Sequence, residues 1–155
     1  MIVYTPSQQG RSEIKVYQNV YCVVRCAKTG RVLQVVESNN LLVNTGRNKL
    51  RDMLGGTGFR PDQLAIGSGT TAPAAGDTAL ETQTLKKLMD RRINQTFGIE
   101  FQTLIETGEA NGTTINEIGT FQGNTLISRA VLSSGIVKNS AIVVTVSHIH
   151  TVSSG

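Results

Sequence analysis

Four side chains in this chain are of types that could bind a metal ion. Cys22 and Cys26 lie four positions apart, and His148 and His150 lie two positions apart. Together they form a nominal Cys2His2 set, which is the donor set of many structural zinc sites. The sequence VYCVVRC predicts a strand, however, whereas zinc-binding cysteines normally lie on a tight turn. We therefore predict no zinc site from these four residues.

The spacing within each pair leads to separate expectations. On a strand, residues four positions apart are separated by about 13 Å, so Cys22 and Cys26 cannot form a disulfide with each other. We expect two small buried side chains. His148 and His150 would face the same side of a strand, about 7 Å apart. They are the remaining candidate metal ligands, but a partly exposed strand end is the preferred interpretation, and no metal and no cofactor are predicted.

No group of residues has a catalytic spacing. Gly67, Gly69 and Thr70 look like part of a phosphate-binding loop, but the required Gly-Lys-Ser/Thr ending is missing. No serine or cysteine lies in a nucleophile-elbow pattern. Three carboxylates fall near predicted turns, where acidic side chains are usually solvated: Glu106, Glu109 and Glu117. The sequence therefore predicts a protein that is not an enzyme.

Composition indicates one ordered domain with an unusually neutral surface. The 155 residues are 39% hydrophobic and only 17% charged, compared with about 25% charged in a typical soluble domain. Thr, Ser, Asn, Gln and Gly must therefore cover much of the surface, which suits extensive contacts between subunits. The net charge of +4 is spread along the chain, so nucleic-acid binding is not predicted. No run of apolar residues is long enough to predict a membrane span, and the first residues lack the layout of a signal peptide.

The pattern of strands and turns predicts an all-β domain. Val16–Ala27 and Arg31–Glu37 are rich in β-branched residues and flank a turn at Gly30, which predicts a hairpin. Further strands are predicted at 63–67, 125–132 and 140–152. Two more strands flank a predicted turn at Asn111-Gly112, and further turns are predicted at 122–124 and 133–138. Seven or eight short strands indicate a single β-sandwich or jelly-roll-like domain with one short α-helix.

The one predicted helix follows Val43. Asn44 or Thr45 could cap its first turn, and Gly55-Gly56 would end it. Three apolar residues at helical spacing predict the buried face: Leu50, Met53 and Leu54. The helix would be about eleven residues long, too short to be stable alone, so we expect it to pack across a sheet.

The first twelve residues form a predicted N-terminal arm, and residues 13–155 form the domain. Ile2, Val3 and Tyr4 give the arm an apolar tip, and a polar spacer with Pro6 and Gly10 follows. The tip is too apolar for an inert tail. We therefore expect Ile2, Val3 and Tyr4 to contact a neighbouring subunit or another protein of an assembly.

An ordered series of motifs carries a resemblance to a known class of proteins. The series is NLLVNTGRNKLRDMLGG (residues 40–56), QLAIGSGTTAPAAGDTALETQ (63–83), IETGEANGTTINEIGTF (105–121) and TLISRAVLS (125–133). Over residues 19–146 the chain resembles small virion proteins of tailed phages, of the tail-fibre, tail-collar or baseplate-attachment type. The resemblance implies a structural protein of the virion that folds in the bacterial cytoplasm before assembly. It also favours a strand over a helix in the ambiguous segment 78–92.

The resemblance further implies a symmetric homo-oligomer, a trimer first, bound to other virion proteins. A capsid decoration protein, which would clamp neighbouring subunits of a mature shell, is a close alternative. A glycan-binding module is a second alternative, because β-sandwiches often present loops to sugars, although the chain has no Trp. His-x-His pairs can hold an iron in trimeric phage fibres, but the repetitive fibre sequence that usually surrounds such pairs is missing here.

Overall fold

The computed structural model describes residues 14–58 and 60–154. The predicted arm with Ile2, Val3 and Tyr4 therefore lies outside the described residues. Ten strands and one helix are present in the described part of the chain, in this order: β1 (Ile14–Cys26), β2 (Val32–Asn39), β3 (Leu41–Leu42), α1 (Asn44–Leu54), β4 (Gln63–Gly67), β5 (Gln83–Leu88), β6 (Arg91–Gln95), β7 (Gly98–Ile105), β8 (Thr114–Gln122), β9 (Thr125–Val137) and β10 (Ile142–Ser154).

The strands form two antiparallel sheets of five strands each. Sheet A has the order β2-β1-β10-β7-β6, and sheet B has the order β3-β9-β8-β4-β5. The predicted all-β sandwich with one short helix is confirmed. In sheet A, the two long strands β1 and β10 pair along their whole length, so the first and last described segments of the chain lie side by side.

Two hairpins follow the turn chemistry of the sequence. Gly30 joins β1 to β2 with a φ of +69°, and Gly123 joins β8 to β9 with a φ of +57°. Glycine adopts this left-handed conformation without the steric cost that a side chain would add. The strand at Gln63–Gly67 also lies where it was predicted.

The ambiguous segment 78–92 is extended. It contains β5, which belongs to sheet B, and the start of β6, which belongs to sheet A. Met89 and Asp90 carry the chain from one sheet to the other, and the Met89 backbone N–H donates to the Asp62 carbonyl. The strand that the resemblance favours is therefore confirmed, and the alternative of a helix is excluded.

One predicted hairpin and one predicted turn are wrong. Asn111-Gly112 does not close a hairpin, because β7 belongs to sheet A and β8 to sheet B, so this turn crosses between the sheets. Residues 133–138 do not form a turn, because β9 continues through them to Val137 and pairs there with β8 beyond a β-bulge. In both cases the local turn preference does not decide which strands pair.

The main core lies between the two sheets. Strand alternation on β10 directs Ile142, Val144 and Val146 inward, against Ile118 and Ala130 of sheet B. A second, smaller apolar cluster contains Val43, Ala65, Leu80, Phe121 and Leu126. Because Leu80 belongs to the 68–82 loop, this loop covers part of sheet B.

The helix α1 begins and ends where it was predicted, but it buries a different face. Val43 is the N-cap residue and no side chain caps the helix, so neither Asn44 nor Thr45 has that role. Gly46 is the buried residue of the helix, and a Cβ there would overlap the Ile127 carbonyl of β9. Leu54 is 74% exposed, so the predicted apolar face is wrong. No helix among residues 14–58 and 60–154 has the length and apolar character to cross a membrane.

Candidate functional site

The two histidines of β10 lie on the face of sheet A that points towards sheet B. His148 is opposite Val20 of β1 and Phe101 of β7, and its side chain is fully buried. His150 is opposite Gln18 and is mostly buried, with its ring edge-on to Phe101 at 5.5 Å between centroids. The prediction of a partly exposed strand end is therefore wrong for His148, which is fully buried, whereas His150 is partly exposed.

Each histidine has an amide side chain as its neighbour. Gln18 Nε2 donates to Nδ1 of His150 at 2.9 Å. Asn40 Nδ2 donates to Ser128 Oγ at 2.8 Å and lies 3.3 Å from Nδ1 of His148. With Nδ1 accepting, the proton of each neutral ring is on Nε2, and neither Nε2 has a partner among the described residues. Both rings are therefore held from one side only.

Burial controls the charge of these rings. Desolvation lowers the pKa of His148 to about 3, with a smaller contribution from the neighbouring His150, and lowers the pKa of His150 to about 4. Both imidazoles are therefore neutral at pH 7. The two ring centroids are 6.5 Å apart, and the described residues bring no third His, Cys, Asp or Glu to the pair. Together with Gln18 and Asn40, the two histidines form a polar layer within the core.

The cysteines are separated from each other and from most of this layer. Cys22 is buried opposite Val146, and burial raises the pKa of its thiol to about 12. Cys26 is opposite Ile142, six residues from His148 along β10, which is about 20 Å at the rise of a strand. Both cysteines are free, as expected, but Cys26 is only partly buried. The structure does not bring the nominal Cys2His2 set together.

A buried ion pair lies on the face of sheet B that the 68–82 loop covers. Arg129 Nε donates to Glu117 Oε2 at 2.9 Å, and the side chains are 3% and 0% exposed. The expectation of a solvated Glu117 is therefore wrong. Its carboxylate also accepts hydrogen bonds from the backbone N–H groups of Gly69, Glu81 and Thr82. These bonds tie both ends of the loop to β8.

Arg129 donates hydrogen bonds to the middle of the same loop. Its Nη1 donates to Asp77 Oδ2 at 2.9 Å, and its Nη2 donates to the Thr71 carbonyl at 3.0 Å. Burial alone would lower the pKa of Arg129, but hydrogen bonds to Glu117 and Asp77 outweigh it and raise the pKa. The pKa of Asp77 is lowered, first by a hydrogen bond from the Ala74 backbone and also by Arg129. The network fixes a small-residue loop that has no regular secondary structure.

An open apolar groove of about 560 Å³ lies at the end of the sandwich where β1 begins and β10 ends. One wall comes from sheet A and includes Val16, Phe97 and Val152, while the opposite wall includes Met53 of α1 and Pro61. Phe97 is 78% exposed and lies just before β7. Its φ of +59° places it in the left-handed region, in the turn between β6 and β7.

Some of these features leave a signal in the sequence, and others do not. Glu117 and Arg129 are charged residues inside the apolar runs TINEIGTF and TLISRAVL, and this position could have indicated a buried pair. The groove has no comparable signal, because residues from distant segments line it. The interface candidates Ile2, Val3 and Tyr4 remain a prediction. Comparisons of the chain with models of protein families, with curated proteins and with solved structures give no significant match.

Proposed function

We propose that this chain is a non-enzymatic structural protein of a tailed-phage virion, which acts as a symmetric oligomer that attaches tail, baseplate or fibre components. The proposal combines the resemblance in the sequence with the surface of sheet A. One observation carries it furthest: apolar side chains are exposed on the outer face of an edge strand. Such exposure is typical of surfaces that contact other proteins.

The surface in question is the outer patch, which we define as Val23, Leu33 and Val35. Val35 of the edge strand β2 is 60% exposed and Leu33 is 47% exposed, and Val23 of β1 is directly opposite Val35. Leu33 lies at the bulge in the pairing of β1 with β2. Proteins usually protect an edge strand with charged residues, because an apolar edge is open to association. The outer patch therefore supports an interface between subunits.

The 68–82 loop also supports a structural role. A loop of small residues between strands would normally be mobile, yet the bonds to Glu117 and Arg129 hold 68–82 in one conformation. A fixed surface loses little conformational entropy when it associates, so more of the contact energy remains for binding. Repeated subunit interfaces of this kind need about 800 Å² per partner to be stable.

Sedimentation of the purified protein tests the oligomer. We expect a symmetric oligomer at micromolar concentration, and a trimer is the favoured form. Val35→Lys should weaken association by about 1–3 kcal/mol, because it places a charge in the contact. Leu88→Lys is the matched control, since Leu88 of β5 is 67% exposed but belongs to the edge of sheet B. Equal loss in both variants would mean that the outer patch is not the interface.

Labelling of intact particles tests the location. An antibody against this chain should bind at the neck, the tail or the baseplate. Binding over the whole head surface would instead support the capsid decoration alternative, which shares the same mode of association. If the chain is missing from purified particles, the proposal of a virion protein fails.

A further inference from the structure

Phe97 lies at a turn position with a positive φ, which phenylalanine rarely adopts. The turn is a two-residue connection between β6 and β7, and such tight turns favour Asn or Gly where φ is positive. A phenylalanine there is strained, and its ring gains little from the fold because it is 78% exposed. Residues that contradict local preference without a gain in packing occur mainly at functional positions. The exposed ring of Phe97 is therefore a candidate contact for a partner outside its own domain.

The ring stands beside other exposed apolar groups of the groove. Met53 is 42% exposed and Val152 is 47% exposed, and both line the groove with Phe97. An open apolar groove of this size is typical of a site that receives apolar side chains of a partner. Nothing among the described residues fills it.

The position of the chain's own beginning indicates what fills it. Val16, the third residue of β1, lies in the wall of the groove, so the described part of the chain begins close to the groove. Nine residues, 5–13, separate the apolar tip at Ile2, Val3 and Tyr4 from β1. Fully extended, this spacer spans about 30 Å, on the order of the width of a small domain. It is much longer than a return to the adjacent groove requires, and long enough to reach a neighbouring subunit.

We propose that the groove receives the apolar tip of the N-terminal arm, residues 2–4, from a second copy of this chain. The inference rests on the oligomer of the proposed function and adds a second contact between its subunits, separate from the outer patch. In a closed ring, each arm would enter the groove of the next subunit, so every arm and every groove is used. The side chains of Ile2, Val3 and Tyr4 supply the apolar surface that the groove exposes.

Two complementary variants test this exchange with purified full-length protein. Deletion of residues 2–10 removes the arm and keeps the groove. Phe97→Asn should weaken binding in the groove and leaves the arm intact. Because Asn is well suited to a positive φ, the domain should remain folded. Each variant alone should associate about tenfold more weakly than the wild type, or worse. A one-to-one mixture should associate more tightly than either variant, because the intact arms of one protein can enter the intact grooves of the other.

Controls separate this result from a general loss of structure. The unfolding midpoint of Phe97→Asn should equal or exceed that of the wild type, since it relieves strain. Val152→Glu is a second groove variant and should behave like Phe97→Asn in the mixture. Val137→Asn is the matched control, because Val137 is 68% exposed but pairs with Thr114 at the end of β9, away from the groove. It should associate as the wild type does.

Two outcomes would overturn the proposal. If the mixture gains nothing and the arm deletion lowers the unfolding midpoint, the arm occupies the groove of its own subunit. If neither variant weakens association, the arm does not bind in the groove at all. Because these measurements use purified protein, their failure is distinct from absence of the chain from virus particles, which would refute the proposed function instead.

Discussion

At the scale of single residues, the buried pair of Glu117 and Arg129 shows how polar groups organise this apolar sandwich. Moving two charges out of water is costly, so a buried pair contributes only when hydrogen bonds satisfy both partners. Here the carboxylate accepts three backbone N–H groups as well as Arg129, and Arg129 also bonds to Asp77. On folding, the pair therefore loses hydrogen bonds to water and gains hydrogen bonds that position the 68–82 loop.

Loss of one partner should be much more harmful than loss of an exposed charge. Arg129→Met should lower the free energy of unfolding by about 3–5 kcal/mol, because it leaves the Glu117 carboxylate buried without its cation. Arg51→Met is the control, since Arg51 pairs with Asp52 in solvent, and it should change stability by no more than about 0.5 kcal/mol. Urea unfolding of both variants measures the difference, and similar values would show that the network does not hold the loop.

The buried histidines predict a pH dependence of stability with a definite sign. Their folded pKa values, about 3 and about 4, lie below the ordinary value of 6.5, so below pH 6.5 the unfolded chain binds protons that the folded chain does not. Stability should therefore fall as pH is lowered through the window from about 6.5 to about 4.5. The slope should approach about 1.4 kcal/mol per pH unit for each histidine at the lower end.

Carboxylates act in a lower window, which keeps the two effects apart. The pKa values of Asp77, Glu81 and Glu109 are lowered, so their stabilising contribution is lost as pH falls past their ordinary values of 3.8 for Asp and 4.5 for Glu. Urea unfolding at several pH values between 4.5 and 7.5 measures the slope. His148→Gln should roughly halve it, and an unchanged slope would show that His148 is not the group that titrates.

At the scale of elements, the helix illustrates which information is local and which is not. The sequence predicts its limits correctly, because Gly55-Gly56 ends it whatever lies nearby. The sequence does not predict its buried face. That face depends on the close approach of Gly46 to the backbone of β9, and apolar spacing at Leu50, Met53 and Leu54 indicates another face.

Gly46→Ala should reverse the usual effect of this substitution in a helix. Alanine normally stabilises a helix by about 1 kcal/mol relative to glycine, but here its Cβ would overlap the Ile127 carbonyl. We expect a net loss of about 1–3 kcal/mol, the usual cost of an overpacked contact. Leu54→Ala, at an exposed position, should change stability by about 0.5 kcal/mol or less. Thermal or urea unfolding compares them, and a stabilising Gly46→Ala would contradict the packing of α1 on β9.

The strands show the same division. The hairpins at Gly30 and Gly123 and the strand at Gln63–Gly67 could be predicted, because turn residues and alternation are local. The turn at Asn111-Gly112 carries the same local signal, yet it crosses between the sheets. Its course depends on contacts from a distant segment, since the Gly112 N–H donates to the Lys138 carbonyl and Lys138 Nζ donates to Asn111 Oδ1.

At the scale of the whole molecule, composition and strand pattern were enough to predict a β-sandwich, but not its polar interior. The layer of Gln18, Asn40, His148 and His150 comes from β1, the β2–β3 connection and β10. Only the pairing of these segments brings its members together. The groove likewise has lining residues from α1, β1 and β10, which are distant from one another in sequence. Local sequence reasoning therefore predicts the framework, and distant pairing creates the sites.

The copy number of this chain in purified virus particles, measured by quantitative mass spectrometry, tests whether the chain is a structural part of the virion. We expect the wild-type chain to be present in a number set by the particle's symmetry. We expect Val35→Lys, which should fold but alters the outer patch, to be incorporated in far fewer copies, and the Leu88→Lys control to be incorporated normally. Absence of the wild-type chain from particles, or equal incorporation of Val35→Lys, would overturn the proposed function or its interface.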